Sequence, residues 1–200
     1  MKKLFYPALA LLMIIAFSCT KTKEDIKVEL LNNFMPTTTN SFWTYTDYPQ
    51  GSVYSQLVTS IDSTFGGKKY RGVANTQAGI SWYRKDAGAY YNLLINGNQQ
   101  IEFLYLKDNV PVGAHWDVSY TNNGNPTKLH YTIAEFDVPK TVYGFIYPHC
   151  INVNMKTYID FGDGDTLMGN STNLYANGVG LVYVERSYDS KTYLNSYKIN

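Results

Sequence analysis

His115, Asp117 and His130 are the side chains of this chain with the types and spacing that chemistry asks for. In "AHWDVSYT" His115 and Asp117 stand two residues apart, so in an extended strand they share a face. His130, on a neighbouring strand, would complete a set of two imidazoles and a carboxylate. That set suits a zinc ion or an acid–base pair; histidines satisfied at the surface explain the same letters. "DFGDGDT" brings Asp160, Asp163 and Asp165 together, the oxygen donors a hard cation wants. Their spacing departs from the EF-hand register, and Asp-Gly turns at a hairpin tip account for it equally. His149 and Cys150 would pair a base with a nucleophile, but adjacent residues of a strand point to opposite faces. No serine lies in a nucleophile elbow and no H-E-x-x-H is present. We therefore expect no catalytic residue, no metal site and no cofactor.

The elements that must position these residues read as strands. In "CINVNMKTYIDF", Ile151, Val153, Met155, Thr157, Ile159 and Phe161 alternate with polar partners, the mark of one buried face. "AHWDVSYT" places Trp116, Val118 and Tyr120 inside. "AYYNLLIN" sets Tyr91, Leu93 and Ile95 on one face, and "QIEFLYL" does the same with Ile101, Phe103 and Tyr105. "VGLVYVERS" and "TYLNSYKI" form a last pair joined at "DSK". Between the runs lie turn signals: "FGGKK", "KDAGA", "NGNQ", "NNGNP" and "FGDGD". Ten to twelve strands with hairpin-length links predict an all-β fold, a meandering antiparallel sheet curled into a barrel or half-barrel, lipocalin-like in outline. Trp116, Val118, Ile151, Val153, Ile159 and Leu181 are expected in the core. "EDIKVELLNNF" is the one helical candidate.

The N-terminus addresses the chain. Lys2 and Lys3 precede "LFYPALALLMIIAF", a positive region and an apolar run too short to span a bilayer. Ser18 then precedes Cys19. The segment resembles a bacterial lipoprotein signal, in which cleavage before the cysteine is followed by lipid attachment to its thiol; Ala16 and Phe17 stand where the usual box carries Leu and a smaller residue. The expected organisation is a signal peptide over 1–18, a tether over 19–33 and a single β domain over 34–200. Lipid on Cys19 would anchor the chain to a membrane without crossing it, in the cell envelope and at the outer membrane, on either its periplasmic or its surface face.

Composition narrows the partners. The 17 basic and 16 acidic side chains nearly cancel, so nothing recruits nucleic acid by charge. With Cys19 modified, Cys150 has no partner for a disulfide within the chain, which favours a buried, inert thiol. Nineteen tyrosines dominate the polar inventory. They suit sheet packing, and they also make surfaces that pair an apolar ring with a hydroxyl. A concave β-surface carrying Tyr83, Tyr91 and Tyr105 is the expected seat of an apolar or amphipathic small ligand or of an envelope protein. A carbohydrate-contacting module using Trp82 or Trp43 as a platform is one alternative, and a hydrolase with a cryptic Asp/His metal site is another.

Two stretches carry a family resemblance. "NNFMPTTTNSFWTYTDY" resembles the F-P…N-x-W-x-Y opening of Bacteroidetes envelope lipoproteins, with Phe34, Pro36, Trp43 and Tyr45 in place and Thr39 where glycine is usual. "YANGVGLV", Tyr175–Val182, is similar to an element near the C-terminus of the same broad, uncharacterised group. The resemblance implies an antiparallel, partly open barrel and transfers no catalytic residue.

Overall fold

The computed structural model describes residues 32–96 and 99–200, with the backbone alone at Asn96. The leader, Cys19 and the helical candidate up to Leu31 lie outside the described residues, and Asn32–Phe34 are not helical. Twelve strands follow in order: β1 (Phe42–Tyr48), β2 (Ser52–Phe65), β3 (Lys68–Asn75), β4 (Gly79–Asp86), β5 (Ala89–Asn96), β6 (Gln99–Lys107), β7 (His115–Asn122), β8 (Asn125–Val142), β9 (Phe145–Asp160), β10 (Asp165–Ala176), β11 (Gly180–Arg186) and β12 (Lys191–Lys198). Among the described residues there is no helix. The fold is all-β, as the alternation and turn spacing predict.

All twelve strands join one antiparallel sheet in the order β6-β5-β4-β3-β2-β1-β12-β11-β10-β9-β8-β7. Each strand pairs with its sequence neighbour except at two places: β1 pairs with β12, and β6 and β7 are the two edges. A sheet this wide twists and coils, and the coil brings its edges together. Trp116 Nε1 on β7 donates to the carbonyl of Leu104 on β6 at 2.7 Å, and Phe103 meets Tyr120 edge-on at 5.2 Å. The result is a nearly closed barrel whose seam is joined by side chains rather than by a backbone ladder.

Local chemistry explains the turns and bends. Gly66 and Gly67 both take positive φ, 55° and 77°, in the two-residue link between β2 and β3, the conformation that matches strand twist. β8 and β9 are the longest strands, and their ladder breaks at three irregularities between Ile133 and Lys140. Bulges bend a strand, and the far end of this hairpin reaches β12, where Tyr143 stacks on Tyr193 at 3.8 Å.

The core expectations divide. Trp116, Ile151 and Val153 are buried, whereas Val118, Ile159 and Leu181 are half-buried. The facing expected for β5 is reversed: Tyr90 is 1 % exposed and belongs to the core, Asn92 faces the interior, and Tyr91 lies on the outer face beneath the Arg84 guanidinium at 3.9 Å. Leu93 is buried on that outer face too, among Phe65 and Tyr70 of the β2–β3 hairpin. Both faces of β5 therefore bury apolar groups, and alternation alone cannot tell them apart.

The two segments that resemble lipoproteins meet at one end of the barrel. Gly178 N donates to Asn33 O at 2.8 Å, Trp43 Nε1 to Val179 O at 2.6 Å, and Tyr45 Oη to Leu181 O at 3.1 Å. A Cβ on Gly180, whose φ is 108°, would sit 3.7–3.8 Å from Trp43, Phe34 and Pro36. Phe34 and Pro36 are buried there, and Phe34 N donates to Tyr90 Oη at 3.1 Å, whose proton goes to Asp108 at 2.6 Å. The two stretches thus build one plug, bonded between residues 136 or more positions apart in sequence and adjacent in space because β1 and β12 are partners. The twelve strands and both apolar clusters described here lie within residues 32–200.

Candidate functional site

Above the plug the barrel is hollow. A cavity of about 260 Å³ is walled by Tyr45, Tyr83, Phe103, Tyr105, Tyr131 and Tyr175, with Asn92, Gln56, Met35 and Leu181 between the rings. The walls come from β1, β2, β4, β5, β6, β8, β10 and β11, so closure of the sheet creates the site. Small barrels either fill their interior or leave room for one ligand. Here bulky rings meet at angles that leave gaps: Tyr105 lies 6.2 Å from Tyr83 at 90°, and 5.8 Å from Tyr175 at 36°.

One local irregularity lets two consecutive residues of β6 face inward. On the β5–β6 ladder Tyr90 pairs with Leu106 and Tyr91 with Leu104, leaving Tyr105 as the extra residue of a bulge. Alternation from Phe103 turns Tyr105 into the cavity, and the bulge re-aims the next residue, so that Leu106 is fully buried opposite Tyr90. Tyr105 Oη is itself buried and has no hydrogen-bond partner. Buried hydroxyls in folded proteins nearly always have one, and this one is the distinctive polar feature of the hollow.

The cavity's electrostatics are those of neutral donors. Burial pushes the Tyr83 phenol up to about 12, with Tyr54 adding to the rise. Burial likewise holds the phenols of Tyr45, Tyr105 and Tyr175 far above their ordinary range, and neighbouring phenols raise them further. At neutral pH all four are protonated, and among the described residues no charged side chain lines the cavity. The arrangement offers aromatic surface and O–H donors, which is binding chemistry. It presents no activated nucleophile and no acid–base pair.

At the end away from the plug a second cavity, about 520 Å³, opens along the inner sides of β9, β10 and β11. Leu181 borders both cavities. Met155, Asn173 and Arg186 are among its walls.

Of the ligand-contacting residues expected from sequence, Tyr83 and Tyr105 share the hollow, and Tyr91 is outside it. Tyr45, Tyr131, Tyr175 and Asn92 were not singled out by sequence reasoning. Tyr175 and Tyr45 did stand in the two resembling motifs, where their ring-and-hydroxyl chemistry was a usable signal. Trp43 is buried, its indole N–H spent on the plug, and offers no platform. Trp82 packs edge-on against Phe65 at 5.3 Å.

The residues with catalytic potential are on the outside. His130 Nδ1 lies 2.6 Å from Asp117 Oδ1, and the His115 ring is 5.6 Å from that of His130. The antiparallel pairing of β7 with β8 brings them together, yet none of the three lines either cavity. Asp160 Oδ1 accepts the amides of Gly162 and Gly164 at 2.7 and 3.0 Å, and Asp165 pairs with Lys128, so the aspartate cluster serves its hairpin tip. Among the described residues no group of three His, Cys, Asp or Glu side chains is placed to hold a metal ion. Cys150 is buried, which pushes its thiol up to about 11, while His149 points outward to Asp137 at 2.7 Å.

No protein-family model and no curated protein matches this sequence. Among solved structures, the chain is similar to a "putative lipoprotein" from Parabacteroides distasonis, with 17 % identity over 84 % of this chain and 99 % of that one, at a TM-score of 0.49.

Proposed function

We propose that this protein is a non-catalytic, membrane-anchored envelope lipoprotein that binds a small amphipathic ligand inside its barrel. In this reading residues 1–18 are removed, Cys19 carries the lipid, residues 19–33 form the tether, and the domain over 34–200 is held at the outer membrane. The support for the anchor is the sequence around Cys19. The support for the ligand is one observation: a cavity lined by tyrosines in which Tyr105 Oη is buried without a partner. A ligand with an apolar body and a hydrogen-bond acceptor would cover the rings and satisfy that hydroxyl. A volume of about 260 Å³ falls just below the usual range for small-molecule sites, roughly 300–1,000 Å³, which points to a compact or slender molecule.

The test uses N-phenyl-1-naphthylamine, an uncharged dye that brightens when it leaves water. Protein spanning residues 20–200 should bind it saturably. Gln56→Trp, which places an indole in the cavity wall, should weaken that binding at least tenfold while the melting temperature stays close to wild type. Absent dye binding, or equal binding by the folded Gln56→Trp variant, would refute the hollow-barrel reading. Anchoring is tested separately by labelling cells with a fatty-acid analogue, which should mark the wild type and leave Cys19→Ser unmarked.

A further inference from the structure

The mouth of the barrel carries a charge that the fold leaves unused. Among the described residues neither cavity has a carboxylate in its walls, and Arg186 is the single charged side chain lining the two. The chain's other two arginines are both paired: Arg71 with Asp62 at 2.6 Å, and Arg84 with Glu102 at 2.8 Å. Arg186 makes no ion pair among the described residues. Its Nη1 donates to Thr192 Oγ1 at 2.9 Å, and the rest of the guanidinium fork has no partner among the described residues.

That one bond holds the side chain in place. Thr192 is 1 % exposed and passes its own proton to Asp47 Oδ1 at 2.5 Å. The Asp47 carboxylate is thus engaged through a buried hydroxyl rather than by the guanidinium. Glu185, next in sequence, is paired with Lys191 at 3.2 Å. The Arg186 charge is also felt inside: it partly offsets the rise in the Tyr54 phenol caused by burial and by Asp47. Tyr54 stacks on Tyr45 at 5.2 Å, and Tyr45 is a wall of the tyrosine cavity.

Leu181 and Arg186 lie on one strand, β11. At ~3.3 Å per residue the five steps between them span about 17 Å. Leu181 marks the junction of the two cavities and Arg186 the open end, so one slender molecule could touch both. A guanidinium fork with free donors recognises planar or tetrahedral oxyanions by paired hydrogen bonds.

We propose that the ligand is an anionic amphiphile, its apolar part among the tyrosines and its carboxylate, sulfate or phosphate head on Arg186 at the open end. This rests on the binding function proposed above and adds the charge of the ligand and the end from which it projects.

The probes are decanoate, decanol and decyltrimethylammonium, each used to displace N-phenyl-1-naphthylamine from protein spanning residues 20–200. Decanoate should displace the dye at roughly tenfold lower concentration than the trimethylammonium compound, the scale of a charge-assisted hydrogen bond. Arg186→Gln should weaken decanoate about tenfold, leave decanol and the dye unchanged, and abolish the preference for the anion. Arg186→Lys should restore part of it, since it keeps the charge without the fork. Equal displacement by all three probes in the wild type would overturn the anion seat and leave the hollow barrel standing. So would an Arg186→Gln variant that binds decanoate as wild type does, or that loses all three probes alike. Failure of the wild type to bind the dye at all would remove both readings together.

Discussion

Replacing Tyr105 by phenylalanine should stabilise the unliganded protein, the reverse of what loss of a tyrosine hydroxyl usually does. The hydroxyl is buried without a partner, a state that costs roughly 1–3 kcal/mol relative to water. Phenylalanine keeps the ring and hence the contacts with Tyr83, Tyr90 and Tyr175, so no cavity term opposes the gain. Taking about 1–2 kcal/mol as the relief, and ~2–4 °C per kcal/mol for a domain of this size, the midpoint should rise by about 2–8 °C. Thermal and urea unfolding of the wild type and the variant without ligand measure it. The same substitution should weaken a ligand that accepts from Tyr105 by about fivefold, because roughly 1 kcal/mol of hydrogen bonding is lost. A lower midpoint for Tyr105→Phe would refute the reasoning. It would mean that an ordered water already satisfies the hydroxyl and that the group is no invitation to a ligand.

Three further outcomes follow from the packing and the charges. Val153→Asp should unfold the domain, since it would bury an unpaired carboxylate at a fully enclosed site on β9 at a cost of several kcal/mol; a wild-type melting curve would show the facing of β9 to be wrong. Glu102 is partly desolvated, which raises its pKa, but hydrogen bonds from Lys68, Tyr70 and Arg84 outweigh this and hold the carboxyl below its usual range. A depressed carboxyl stabilises the fold above the unfolded-state value of about 4.3 and loses that contribution as pH falls through the lower folded value. Wild type should therefore lose stability relative to Glu102→Gln on acidification below about pH 4.3, and parallel pH–stability curves would contradict it. Cys150 should resist a thiol-reactive disulfide reagent at pH 8 until the protein is unfolded, because its thiol is enclosed and burial pushes it up to about 11; rapid labelling of the native protein would show the site to be open.

Much of this molecule was legible from local rules. Period-two alternation and turn residues act within a few positions of one another, and they were enough to predict an all-β meander with hairpin links, the Gly66-Gly67 turn, the buried faces at Trp116, Ile151 and Val153, and the opposite directions of His149 and Cys150. The pairing of His130 with Asp117 also follows from local register once β7 and β8 form a hairpin. Alternation fails where a strand buries both faces, as β5 does: it puts Tyr91 on the concave side, where the structure has Tyr90 and Asn92. It fails again at the Tyr105–Leu106 bulge, where the extra residue leaves no trace in the letters and two consecutive side chains both serve the interior. The plug, the tyrosine hollow and the isolation of Arg186 needed the tertiary structure. Each depends on β1 meeting β12 and on edges β6 and β7 meeting across the seam, contacts between residues more than a hundred positions apart or between strands with no shared ladder. Their geometry is set by the summed twist and bulges of twelve strands, a quantity no short window of sequence contains.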